Sequence, residues 1–174
     1  MPVEGSDEEK QTNEIKTAIS LLDCIDISGK TITADALLTQ RKLARYIVEE
    51  RNAHYHFTAK NNQKKLYKEL ETFFENVYWE PNHTVHDKPA HGRKETIKIW
   101  LTTELNSHLN FPHVAQAFKV ERLRHNRKSG KTTRVVAYGV TSKSQDLATA
   151  AQVLADNRQH WSIENCCHYI LDWN

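Results

Sequence analysis

Two acidic residues in this chain stand where an acid needs a reason. Asp35 lies at the C-terminal end of "TITADA", a run with β-branched residues that reads as a short buried strand. Glu164 lies in "HWSIENCCHYILDW", where Ile163, Cys166, Cys167, Ile170 and Leu171 form the apolar stripe of a helix. At about 100° per residue, Glu164 falls at the edge of that stripe, with His160 and His168 one turn away on either side. A carboxylate half a step from a core is desolvated unless a cation meets it. A strand-end Asp and a helical Glu, drawn from distant parts of a chain, are oxygen donors of the kind that hold Mg²⁺ for phosphoryl transfer, with a third carboxylate expected from another strand. Each also has a plainer reading. Asp35, followed by "ALLTQ", suits the N-cap of a helix, and Glu164 suits an ion pair at the rim of the core with Arg158 or a histidinium.

A second cluster is cationic. In "KVERLRHNRKSGKTTR", Lys119, Arg122, Arg124, Arg127, Lys128, Lys131 and Arg134 accompany one acid, Glu121. The formal net charge is +2, yet residues 1–15 hold five acids against one lysine, so they carry −4 and the remainder +6. A basic body with a dense basic stretch suits a polyanion; a solvated hairpin with ordinary surface charge is the alternative. The same stretch contains "HNRKSGKTT", which ends like a phosphate-binding loop. His125 stands where the first glycine belongs, and the context is a hairpin rather than a strand-to-helix turn, so that reading is set aside. Zinc on His160, Cys167 and His168 would need ligands from a second segment, and none has matching spacing.

The elements that must position these residues follow from periodicity. The acidic opening, residues 1–12, reads as a disordered lead-in. "NEIKTAISLLDCI" spaces Ile15, Ile19 and Leu22 as a helix. "TITADA" is then a strand, "LTQRKLARYIVEER" a helix, "AHYHFTAK" a second strand and "QKKLYKELETFFENVYW" an amphipathic helix. Strand, helix, strand predicts a parallel pair joined by a right-handed crossover, with sites at the strands' C-terminal ends. From Pro81 the pattern turns β-rich, about 81–142, including a hairpin that turns at Ser129-Gly130. Helical signals resume at "SQDLATAAQVLADN", and "HWSIENCCHYILDW" makes the last helix.

With 174 residues and 39% hydrophobic content, one α/β domain over 13–174 is the expectation. No apolar run approaches a membrane span and the N-terminus lacks a signal-peptide core, so the chain reads as cytoplasmic. Cys24, Cys166 and Cys167 form no C-x-x-C spacing and are expected to be reduced.

Read together, "TADALLTQ", "FTAKNNQ", "HGRKE", "VAYGVTS" and "NRQHWSIENCCHYILDW" resemble, in order and at similar spacing, the catalytic part of bacterial insertion-sequence transposases of the DDE type, the IS-four-like group. The resemblance runs from about Asn13 to the end. It implies an RNase H-like fold whose Asp, Asp, Glu triad holds Mg²⁺ or Mn²⁺, a two-ion site in the complete enzyme. It also implies cleavage of transposon ends, transfer of the DNA strand into a target, and self-association in transposase complexes. Carried over, Asp35 matches the second Asp and Glu164 the Glu, with Arg158, His160, Trp161 and Asn165 as supporting neighbours. His91, Gly92 and Arg93 match the insertion segment, where Arg93 is a candidate DNA contact beside the cations of the hairpin. Gln40, Lys60 and Gln63 match with structural or phosphate-facing roles. The family's first Asp lies in an upstream Asp-Gly-Lys turn that this chain does not contain. The expectation is therefore an incomplete RNase H-like α/β fold, its opening strands missing, that is inactive alone. The alternative is a non-catalytic basic DNA-binding remnant able to interfere with an intact transposase.

Overall fold

The computed structural model describes residues 7–34, 36–87 and 92–163, with backbone only for 7–13, Asn61 and Ile163. Its centre is β2, His54–Ala59, a strand buried along nearly its whole length. β2 pairs in parallel with β1, Thr31–Ala34, and antiparallel with β6, Thr132–Thr141. β6 pairs with β5, Gln116–Asn126, which pairs with β4, Arg93–Thr102, which pairs with β3, His83–His86. The six strands form one sheet in the order β1-β2-β6-β5-β4-β3, so the β-rich segment continues the plane of the parallel pair. The parallel pair and the hairpin are as the sequence predicts. β1 stands at the edge of the sheet.

Period-2 alternation gives the sheet two distinct faces. On one, Tyr55, Phe57, Trp100, Ala117, Tyr138 and Val140 form a core with two helices. One of these is α2, Arg41–Arg45, which continues as a π-helical turn over Tyr46–Glu50 and supplies Leu43, Ala44 and Ile47. The other is α3, Lys64–Glu75, which buries Leu66, Leu70 and Phe74 at four-residue intervals. On the opposite face, Ile97, Ile99, Leu101, Phe118 and Val120 receive Val153 and Leu154 of α4, Ala150–Ile163. Gly139 of β6 pairs with Phe118 of β5 and has no room for a side chain. A Cβ there would sit 2.2 Å from Phe118 Cζ and 2.4 Å from the Phe57 carbonyl oxygen.

Two sequence expectations change. The first helix, α1, spans Asp7–Asp23, so helical order begins inside the stretch read as a disordered lead-in. "SDEE" has the spacing of a capping box, and acids in a first helical turn favour the helix dipole. The two C-terminal helical segments are also one helix as far as Ile163. No Gly or Pro separates "LADN" from "RQHW", so nothing breaks the backbone pattern.

Candidate nucleic-acid and cation site

Asp35, His91, Glu164 and Asn165 lie outside the described residues, as do Cys166 and Cys167. The structure does define what flanks the two acids. The backbone leaving Asp35 is clamped to the end of β2 by three hydrogen bonds. Thr39 Oγ1 donates to the Thr58 carbonyl at 2.8 Å, Asn62 Nδ2 donates to the Ala36 carbonyl, and Gln63 Nε2 donates to Gln40 Oε1 at 3.2 Å. Gln40 and Gln63 therefore brace each other across this turn.

A cleft of about 700 Å³ opens at this end of the sheet. Ala36 and Leu37 line it after β1, Thr58, Lys60 and Asn62 at the end of β2, and His160 and Trp161 from α4. β5 and β6 add Arg122, Arg124 and Val135, and α3 adds Tyr67. The cleft thus lies between the residue after Asp35 and the helical turn before Glu164. Among the described residues, no group of three or more His, Cys, Asp or Glu side chains could hold a metal ion. The described lining carries hydroxyl, amide and cationic groups and no carboxylate.

The hairpin cations do not form one surface. Arg122 and Arg124 project on the α4 side, where Glu95 of β4 holds both. Arg122 Nε and Nη2 donate to the two carboxylate oxygens at 2.5 and 3.0 Å, and Arg124 Nε donates at 2.5 Å. Burial raises the Glu95 pKa, but the two guanidiniums outweigh it and the net direction is downward. Arg122 also lies over the Trp161 ring, 4.9 Å from its centroid, tying the end of α4 to the sheet. Lys119 and Arg134 project to the other face. Lys119 sits 4.5 Å over Trp100, and Arg134 Nε donates to Glu121 at 2.5 Å.

Arg127, Lys128 and Lys131 occupy the exposed β5–β6 turn, where Gly130 adopts φ +66° and Asn126 Oδ1 accepts from the Lys128 and Ser129 amides. The Arg127 amide donates to the Gly92 carbonyl at 2.9 Å, which brings the exposed Arg93 to the same end. Arg158 is held by Asp87, its Nη2 donating to both carboxylate oxygens at 3.1 and 3.0 Å.

Sequence reasoning missed the pair that seats α4. His56 on β2 is 2% exposed and Asn157 on α4 is fully buried. Asn157 Nδ2 donates to His56 Nε2 at 3.3 Å, which leaves the ring proton on Nδ1, and the ring stacks on Phe118 with centroids 4.5 Å apart. Burial, aided by the positive charges of His160 and Lys143, pushes the imidazole pKa down to about 3. The alternation of "HYHFTA" puts His56 on the face opposite Tyr55 and Phe57, the one available signal that it meets a different layer.

The whole described chain falls within a match to one family, the transposase DDE domain, over residues 7–174, and the chain belongs to that family. Among curated relatives it is 30% identical to "Putative protein YbfL" of Escherichia coli K12, covering 94% of this chain and 45% of that protein. It is 29% identical to "Putative transposase YncI" of Escherichia coli O157:H7, covering 94% of this chain and 43% of that one. It is likewise 29% identical to "H repeat-associated putative transposase YhhI" of Escherichia coli K12, again over 94% of this chain and 45% of the relative. The chain thus spans under half the length of these relatives. No solved structure matches it. No helix among the described residues is long and apolar enough to cross a membrane.

Proposed function

We propose that this chain is the part of an RNase H-like DDE transposase domain that carries Asp35 and Glu164 to a shared divalent cation at the cleft and acts on DNA in transposition. The observation that carries the reading is the convergence on one cleft of Ala36 and Thr58 at the ends of parallel strands with His160 and Trp161 of α4. Asp35 immediately precedes Ala36 and Glu164 follows Trp161 by less than a turn. Their carboxylates would be the oxygen donors, and hard oxygen donors fit Mg²⁺ or Mn²⁺. When bound, the cation would neutralise charge on a phosphodiester undergoing displacement.

The chain's own residues do the rest. Thr39, Asn62 and Gln63 hold the turn after Asp35, while Glu95 and Arg122 hold Trp161 and so the approach to Glu164. The exposed cations Arg93, Arg127, Lys128 and Lys131 contact the DNA backbone. This chain supplies two of the three carboxylates that the family resemblance implies, and alone it is expected to bind DNA without cutting it. The exposed turn cations equally support a second reading, DNA binding without catalysis.

Iron-directed cleavage separates the two. Fe²⁺ substituting for Mg²⁺, with hydrogen peroxide as oxidant and ascorbate to regenerate the ferrous ion, generates radicals that cut the polypeptide beside the bound ion. Cuts near residues 35 and 164, suppressed by excess Mg²⁺ and lost in Asp35→Asn and Glu164→Gln, are the expected result. Duplex binding with no such cuts would leave only the non-catalytic reading. Duplex affinity unchanged in Arg127→Glu/Lys131→Glu would remove the assigned DNA contact.

A further inference from the structure

The loop after α3 carries two exposed aromatic rings. Tyr78 is 93% exposed, the highest value of any large apolar side chain among the described residues, and Trp79 beside it is 43% exposed. The loop that holds them is nonetheless pinned. Trp79 folds back on the last turn of α3, its ring centroid 6.1 Å from that of Phe73. Its carbonyl accepts from Trp100 Nε1 at 3.1 Å, and Asn82 Oδ1 accepts from the Leu101 amide at 2.8 Å, so both anchors lie on β4. Pro81, between them, biases Glu80 to extended backbone. A loop held in this way loses little freedom when a partner binds it. Tyr67 of α3 lines the cleft, so these rings lie about two turns away, at the other end of the helix.

The charges around the rings favour a cation. Glu75 closes α3 and Glu80 follows Trp79, and both are exposed. Among the described residues neither carboxylate is held in a salt bridge, whereas Glu71, one turn earlier, is taken by Lys68 at 2.9 Å. The last turn of α3 has no basic residue to offset the negative end of its dipole. A cation already present shows what this aromatic wall accepts. Lys119 rests 4.5 Å over the ring of Trp100, the residue that binds the Trp79 carbonyl, and Glu75 is one of the two carboxylates acting on that ammonium.

We infer that the Tyr78–Trp79 loop, with Glu75 and Glu80, is a docking surface for an arginine-rich segment of another protein. An exposed ring beside an unpaired carboxylate suits a guanidinium twice over, because its plane stacks on the ring and its fork pairs with the carboxylate. Lysine supplies the charge without the stack. A phosphate backbone or an anionic membrane surface would meet two carboxylates and a helix C-terminus, all of them repulsive. A purely apolar partner would strip water from both carboxylates and give nothing in return. Aromatic side chains on a rigid support are also the residues that anchor protein interfaces.

The test is an amide-shift titration of the isotope-labelled full chain, at low salt, with an alternating Gly-Arg peptide and with its Gly-Lys counterpart. Shifts centred on residues 75–80 are expected, with the arginine peptide bound about threefold or more tightly than the lysine peptide, the margin a ring beneath an exposed guanidinium supplies. Tyr78→Ser should erase that preference, and Glu80→Gln should weaken both peptides. Both positions are exposed, so neither change disturbs the core. Equal affinity for the two peptides, a preference that survives Tyr78→Ser, or shifts located elsewhere would overturn the inference. So would a concentration-dependent dimer of the natural chain, seen in sedimentation and dissolved by Tyr78→Ser, because the occupant would then be a second copy of this chain.

Discussion

The His56–Asn157 pair makes a quantitative prediction about acid stability. His56 is buried, stacked on Phe118 and held neutral, with its pKa lowered from 6.5 to about 3. The unfolded chain takes up a proton as pH falls below the ordinary imidazole value, and the folded chain refuses it. Stability from this group is therefore intact above about pH 6.5 and declines as pH drops towards 3, by about 1.4 kcal/mol per pH unit. Near pH 5 the deficit is about 2 kcal/mol.

The double variant His56→Phe/Asn157→Leu retains a ring against Phe118, removes both polar partners and leaves no orphaned group of the pair. It avoids the penalty of about 1–3 kcal/mol expected when one buried partner is deleted alone. Urea unfolding of both proteins near pH 7 and near pH 5, with the difference of differences taken, isolates the imidazole because the carboxylates titrate equally in each. The natural chain should lose about 2 kcal/mol more than the variant across that interval. Parallel losses would show that His56 protonates in the folded state, and the burial argument for how α4 is seated would fail.

Other outcomes follow from single contacts. Gly139→Ala places a methyl group against the Phe57 carbonyl and the Phe118 ring. Both neighbours belong to the buried sheet, so a loss of about 3 kcal/mol or more is expected by thermal unfolding, and an unchanged midpoint would refute the packing. Glu95→Gln removes the carboxylate shared by Arg122 and Arg124. It should lower stability at neutral pH by about 1–3 kcal/mol, with the gap closing as pH falls through the depressed Glu95 pKa. The same change frees two guanidiniums beside the cleft, so duplex affinity should rise and its salt dependence steepen; weaker binding would contradict their placement. Arg51→Ala removes donors to the Leu22 and Ile25 carbonyls at 2.8 and 2.7 Å. Amide exchange in residues 7–23 should accelerate while the sheet stays protected, and uniform exchange would refute a local role.

The parts of the fold legible in the sequence are those fixed by short-range pattern. Alternation in "HYHFTA" and the four-residue spacing of Leu66, Leu70 and Phe74 gave strand and helix. Strand-helix-strand order predicted the parallel β1–β2 pair, and Ser129-Gly130 marked the hairpin turn. What could not be read was long-range register. Glu95 is 27 residues from Arg122, and only the β4–β5 pairing makes it their counter-ion. The same holds for His56 and Asn157, which are 101 residues apart.

The charged stretch divides for a different reason, one the sequence does contain. "KVERLRHNRKSGKTTR" reads as a dense basic stretch, yet a strand alternates its sides at every residue. Lys119 must oppose Arg122 and Arg124 across the sheet once the stretch is a strand, as the Trp100 and Glu95 contacts bear out. Charge counted along a strand therefore overstates any single surface by up to twofold. For a two-faced sheet in a transposase family, that division bears directly on function: the cations that brace the end of α4 are not those that face away from it. The exposed turn, where alternation ends, is where the two sets meet, and there Arg127, Lys128 and Lys131 are joined by Arg93.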